Sequence, residues 1–289
     1  MNLRHIVVAT DDSEAGRHAV REGLDLAARA SARLTVMQAI PARAVPLMGA
    51  AVGSTTVVEF EDADTARDRL ERWLADGVIP EDNGVPVALG IAVGVPAIEI
   101  CRFAEQGAAD LLILGRKRRS AVARLLMGDT ADAVVRRTRV PTLFVQPGSG
   151  PIREMLVALD GTDRGMRVLT AACGFARSVG ASIRVVTVED REPASELHQT
   201  LPTARSSRLQ REVGAKLSRR PGPRRPGEAG VAVRRGPIVL EILAELAEHE
   251  TDVLAFGYHR GGPPGFIEGG STARQLMHTA PASVLAISL

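Results

Sequence analysis

Runs of consecutive apolar and β-branched residues alternate along this chain with amphipathic stretches, a pattern that predicts strands joined by helices. In the first half the strand-like runs are His5–Ala9, Arg33–Ala39, Val85–Val93, Leu111–Leu114 and Thr142–Val145. Helical patterns fall between them at Glu14–Ala30, about Val57–Asp76, Ala97–Gln106 and Thr130–Arg137. Ser13 and Thr130 stand where N-caps belong. The second half repeats the order, with strand-like runs at Met155–Leu159, Ile183–Val188, Val231–Val233, Val253–Phe256 and Ser283–Ile287. Its helices are expected at Arg164–Ser178, within Ser195–Ser218, at Ile238–His249 and at Thr272–His278. Because the apolar runs are continuous, the strands are expected to be parallel and buried on both faces.

The order is repeated because the sequence is. Ile6–Glu14 (IVVATDDSE) returns as Met155–Asp163 (MLVALDGTD), and Asp110–Gly115 (DLLILG) returns as Asp252–Gly257 (DVLAFG). Each second echo leads through a glycine-bearing loop to a polar helix start, Gly128–Thr130 in one copy and Gly270–Thr272 in the other. A period of half a chain means two copies of one domain. The turn-rich segment Gln146–Pro151 is the joint, which places one domain at residues 1–147 and the other at 151–289. Right-handed crossovers then imply two doubly wound α/β domains, each a five-stranded parallel sheet of order 3-2-1-4-5 flanked by helices.

Two stretches break the pattern. Ile40–Thr55 has little polar content and is expected to be an irregular flap over the strand edges. Arg219–Gly227 (RRPGPRRPG) is too rich in proline and glycine for helix or central strand and is expected to be a solvated loop.

Composition narrows the class without changing it. The 289 residues are 45% hydrophobic and 24% charged, which is globular, and suit two domains with their own cores. A net charge of +2 gives no argument for nucleic acid or membrane, and the basic segment Arg219–Gly227 carries no aromatic residue for base stacking. No apolar run reaches the ~20 residues of a membrane span and none at the start resembles a signal peptide, so a cytoplasmic protein is expected. Cys101 and Cys173 lie on apolar helical patterns and read as buried thiols. The six histidines show no metal-ligand spacing.

The repeated polar residues converge on one place per domain. In a 3-2-1-4-5 sheet the first and fourth strands are neighbours where the winding reverses, and ligands bind beyond the carboxyl ends of strands there. Asp11 and Asp160 end the first strands; Gly115 and Gly257 end the fourth. Glycine lets main-chain amides approach a ligand, and a polar helix start adds amide donors and the positive end of the dipole. That set suits phosphate, and a carboxylate across the crevice suits ribose hydroxyls or a base amino group. Turn glycines and helix caps of an empty fold would use the same residues.

Both halves resemble domains of the universal stress protein family, whose nucleotide motif is G-x-x-G, nine residues, then Gly followed by Ser or Thr. Gly257-x-x-Arg260, nine residues, Gly270-Ser271 matches except at the second glycine. Gly115-x-x-Arg118, nine residues, Gly128-Asp129 fails there and at the last position. The resemblance implies ATP or another adenine nucleotide as ligand, with or without Mg. It assigns a stronger site to Asp160, Val188, Gly257, Arg260, Gly270, Ser271 and Thr272. A weaker site falls to Asp11, Ala39, Gly115, Arg118, Gly128 and Thr130, with Ala39 and Val188 near the base. Arg118 and Arg260 offer guanidinium groups in place of an amide contact. Asp129 puts a carboxylate where phosphate would lie, or serves as a helix N-cap.

The resemblance further implies a stress-response sensor or regulator rather than an enzyme, an internal pseudo-dimer of the two halves through their fifth strands, and homodimerisation. An interaction scaffold without nucleotide is the alternative from another class, and a slow ATP hydrolase with no identifiable base ranks last. A Walker A loop and G-x-G-x-x-G are both absent. Gly269–Ala273 (GGSTA) follows a Gly/Pro loop and not a strand, which sets aside a serine-hydrolase elbow.

Overall fold

In the computed structural model the described residues are 1–41, 43–46, 56–59, 61–80, 82–116, 129–189, 208, 210–215, 231–258 and 271–288. Two compact units divide them. The first contains β1 (His5–Thr10), α1 (Glu14–Ala30), β2 (Arg33–Ile40), β3 (Arg43–Pro46), β4 (Thr56–Glu59), α2 (Ala63–Ala75), β5 (Val87–Val93), α3 (Pro96–Gln106), β6 (Leu111–Gly115), α4 (Asp129–Arg137) and β7 (Thr142–Val145). The second contains β8 (Glu154–Leu159), α5 (Asp163–Val179), β9 (Ser182–Glu189), a helical segment α6 (residues 210–215), β10 (Val231–Arg235), α7 (Ile238–Glu248), β11 (Val253–Tyr258), α8 (Ser271–Thr279) and β12 (Ser283–Ser288).

Within the first unit the parallel order is β5-β2-β1-β6-β7. Within the second it is β10-β9-β8-β11-β12, again parallel. Both are the 3-2-1-4-5 order expected of a doubly wound sheet. The burial of successive residues explains the apolar runs. Ile6, Val7 and Val8 are all fully buried, as are Leu111, Leu112 and Ile113. Neighbouring side chains on a strand point to opposite faces, so both faces of the sheet are covered.

The helices start and stop where local chemistry dictates. Ser13 caps α1 by accepting from the Gly16 amide, and α1 ends at Ser31 with a left-handed backbone. Thr162 caps α5 by accepting from Gly165, and α5 ends at Gly180, also left-handed. α4 begins at Asp129, so Thr130 stands inside the first turn and is not the cap.

The expectation for residues 40–76 needs correction. β3 and β4 pair antiparallel, Arg43 with Glu59 and Pro46 with Thr56, and the helix begins only at Ala63. The β-branched Thr56, Val57 and Val58 favour extended backbone, and Asp62 then caps α2 by accepting from the Asp64 and Thr65 amides. The loop expected at 219–227 lies outside the described residues.

A repeated aspartate sets the register of the first and fourth strands in each unit. The Asp110 carboxylate accepts from the Arg4 and His5 amides at 2.9 and 3.0 Å, and the Asp110 amide donates to the His5 carbonyl at 2.9 Å. Asp252 repeats this: its carboxylate accepts from Arg153 and Glu154, both at 2.8 Å, and its amide donates to the Glu154 carbonyl at 3.0 Å. Two charge-assisted bonds to main-chain amides are worth about 1–3 kcal/mol once solvent exchange is counted. Asp110→Ala and Asp252→Ala should each lower stability by about that amount, read as a lower denaturant midpoint at unchanged m-value.

Beside Asp110, His5 is buried and fully bonded. Its Nδ1 meets the Gly107 carbonyl and its Nε2 the Thr35 hydroxyl, each at 2.9 Å. Burial holds the ring's pKa below its ordinary value of 6.5, and the Arg33 cation adds to that. The folded state thus prefers neutral His5, so the unfolded chain takes up the proton first as pH falls. Stability from this residue is complete above about pH 6.5 and is lost as pH drops through the lower folded value. Unfolding midpoints between pH 7.5 and 5 should therefore fall more steeply in the native chain than in a His5→Gln variant.

Candidate functional site

Both crevices form where parallel strands stop pairing. β1 and β6 pair up to Ala9 with Leu114, and β8 and β11 up to Val157 with Ala255. Since the repeat matches Ala9 with Ala158, the second pair of strands parts one residue sooner. Adjacent parallel strands bring Asp160 and Gly257 to one rim, and likewise Asp11 and Gly115. Val188 and Ala39 are the penultimate residues of β9 and β2, next to the first strands. α8 and α4 connect parallel strands, so each must start on the same rim that β11 or β6 reaches.

The strand-end aspartates share a local task. Asp160 Oδ1 accepts from the Thr162 amide at 3.0 Å and its hydroxyl at 2.7 Å; Thr162 Oγ1 then accepts from Gly165. Asp11 Oδ1 accepts from the Ser13 amide at 3.4 Å and from its hydroxyl. A carboxylate two residues before the cap fixes the cap's rotamer and brings negative charge to the helix start. Both aspartates are exposed on the rim.

The glycines differ in what holds them. A Cβ on Gly115 would lie 2.0 Å from the Ala15 carbonyl oxygen, so the first turn of α1 sits against this strand end. A Cβ on Gly165 would lie 2.7 Å from Asp160 Oδ1, which lets the carboxylate approach the helix start. Gly257 is half-buried near the end of β11. Arg116, directly after Gly115, is 1% exposed, and burial lowers its guanidinium pKa to about 10.

The two units part at the residue after the strand-end aspartate. In the second unit this is Gly161, at φ +69°. In the first it is Asp12, at φ +58°, a left-handed backbone that costs an L-residue about 1 kcal/mol or more. Asp12 Oδ2 accepts from Gln38 Nε2 at 2.8 Å and from Arg69 Nε at 3.2 Å. Arg69 also donates to Gln38 Oε1 at 2.8 Å and to Glu61. The Glu61 bond raises the Arg69 pKa further and keeps it charged. Nothing in the local sequence pairs Arg69 with Asp12, 57 residues away; the one legible signal was Asp-Asp where the other copy has Asp-Gly.

Other assigned residues sit as follows. Thr272 is the second residue of α8 and half-buried; Ser271 begins that helix; Thr130 is exposed in α4. Arg260, Gly270, Arg118 and Gly128 lie outside the described residues, as does the Ser271 side chain. Among the described residues, Glu245, Glu248 and His249 come close enough to hold a metal ion, but Arg234 donates to both carboxylates. No helix among the described residues is long and apolar enough to cross a membrane.

The two rims differ: the second carries an exposed Asp160, a side-chain-free Gly161 and the half-buried Val188, whereas in the first Asp12 is bonded to Gln38 and Arg69. Gly115→Ala should lower stability by about 1–3 kcal/mol through overlap with α1, measured by thermal unfolding.

Comparisons with known proteins match both halves of the chain. The family profile described as Universal stress protein family matches residues 2–146 and again 151–288. A universal stress protein of Methanocaldococcus jannaschii is 26% identical over 144 residues, covering 50% of this chain and 82% of that protein. One from Synechocystis is 26% identical over 154 residues, covering 50% of this chain and 99% of that protein. A crystal structure of a universal stress protein from Archaeoglobus fulgidus superposes with TM-score 0.70 at 18% identity, covering 98% of both chains.

Proposed function

Because the chain belongs to the universal stress protein family in both of its halves, we propose that it is a cytoplasmic stress-response sensor or regulator that binds ATP or a related adenine nucleotide, chiefly in the second unit. What supports this reading is the second crevice itself. Asp160 stands exposed on a rim where β8 and β11 have parted, and Gly161 places no side chain over the opening. Asp160 would take the adenosine, with Val188 beside the base. Gly257, Gly270, Ser271 and the Thr272 amide would take phosphate and ribose, with Arg260 as a neighbouring cation. The start of α8 directs main-chain N–H groups toward that side, which favours an anion without a lysine. Bound nucleotide would supply a polyanion whose presence or absence changes the rim, which is the chemistry of a sensor. Mg would enter with the phosphates.

For the first unit a scaffold without nucleotide is the second reading, because the acidic Asp129 opens α4 where Ser271 opens α8.

Isothermal titration with ATP tests the proposal. Heat of binding is expected from the native chain, and Gly270→Val with Ser271→Ala should remove at least nine-tenths of the affinity. Asp129→Ala should leave binding unchanged or strengthen it, since it removes a carboxylate from the other helix start. No heat and no thermal shift at millimolar ATP would overturn the reading.

A further inference from the structure

We propose that the second unit carries a binding pocket for a small zwitterion, in chemical class a free α-amino acid, at the amino ends of its strands: Arg184 takes the carboxylate, and Glu250 with Glu154 takes the ammonium. This pocket is separate from the nucleotide crevice. β8 runs six residues from one rim to the other, which at about 3.3 Å each puts the rims roughly 20 Å apart.

The internal repeat locates the pocket. In the first unit three positions on this rim are spent on one another, because the His5 ring bridges the Gly107 carbonyl and the Thr35 hydroxyl. Strand register carries those positions into the second unit. Val7 pairs with Thr35 and Leu156 with Arg184, so Thr35 corresponds to Arg184 and His5 to Glu154. Gly107 and His249 each stand three residues before the aspartate that clasps the strands. The imidazole has thus moved from the first strand to the end of the helix. A cavity of about 200 Å³ involves the same three positions, lined by Glu154, Met155, Arg184, His249, Glu250 and Thr251. It is smaller than the roughly 300–1,000 Å³ of a site for a drug-sized ligand, so its occupant has few heavy atoms.

Charge decides the class of occupant. Arg184 is half-buried, and its one polar contact among the described residues is with His249 Nε2, 3.4 Å from Nη1. That ring nitrogen also lies 3.5 Å from Glu245 Oε1. It can accept from Arg184 or donate to Glu245, and no single tautomer does both. When it donates to Glu245, which Arg234 holds by Oε2, the guanidinium of Arg184 is left to a ligand. A carboxylate fits that planar fork through two parallel bonds. Glu250 is exposed and makes no hydrogen bond or ion pair among the described residues, and Glu154 brings a second carboxylate to the lining. A simple anion would meet two carboxylates, and a simple cation would meet Arg184. A molecule with both charges a few bonds apart meets each with its opposite.

The test uses the full chain, with L-alanine as the probe and acetate and methylamine as single-charge controls, followed by the imidazole nitrogen resonances in an NMR titration. L-alanine should bind in the millimolar range, at least tenfold more tightly than either control. The His249 Nε2 resonance should move toward the range of a protonated ring nitrogen on binding, as that nitrogen exchanges Arg184 for Glu245. A histidine with a structural role alone would not respond. Arg184→Met should weaken binding at least tenfold while still unfolding cooperatively. Glu154→His with Arg184→Thr, which installs the first unit's pair, should abolish binding; where that variant does not fold, Arg184→Met and the native titration decide. The proposal is overturned if the native chain shows no shift with millimolar alanine, if acetate or methylamine binds as well as alanine, or if a folded Arg184→Met variant keeps native affinity. The nucleotide reading stands or falls separately, on ATP at the other rim.

Discussion

In each unit one carboxylate, Asp110 or Asp252, reaches from the start of the fourth strand to the two main-chain amides that begin the first. Those strands are neighbours only because the chain winds outward from them in both directions, so their junction has no hairpin to hold it. The carboxylate replaces the missing turn. With the amino ends clasped, the strands run side by side for three or four residue pairs and then separate at the opposite rim. The crevice is the consequence of fixing one end of a twisted pair and letting the other diverge. The ligand reading depends on the exposed Asp160 standing at that rim.

Duplication has left the frame and changed the fillings. On the edge strand of the first unit, Gly90 makes room for Phe103 of α3, since a Cβ at position 90 would lie 2.4 Å from the ring. In the second unit Ala232 matches Gly90, and an ionic contact two residues further along joins strand to helix: Arg234 of β10 donates to Glu245 of α7 at 2.6 Å, and also to Glu248. Glu245 is buried, so that pair trades desolvation against Coulomb attraction where the first unit uses apolar contact. Strand order and register survive both solutions. They are set by main-chain pairing and the clasping aspartates, and the outer packing is free to drift around them.

What was legible in the sequence follows this division. Strand order, helix positions and the switch-point aspartates and glycines could be read, because apolar periodicity and local capping are short-range properties. The Asp110–Gly115 echo was visible, but its aspartate was silent about its partners, which lie about a hundred residues earlier in the chain. β3 and β4 were read as flap and helix because four-residue strands are too short for periodicity to separate from a turn of helix. The Asp12 network was illegible for a stronger reason. Its members come from a strand end, a second strand and the exposed face of a helix, and only folding makes Arg69 a neighbour of Asp12.

The Asp12 network shows that two crevices of one ancestry need not be lined alike. A ligand site of this kind keeps its polar groups unsatisfied until the ligand comes, and that condition costs stability in the empty state. A duplicated chain that needs one occupied crevice can satisfy the other internally at no functional loss. Here the internal solution is incomplete, because Asp12 accepts strain and a buried oxygen to reach Gln38 and Arg69. Asp12 therefore carries a local cost that Gly161 avoids.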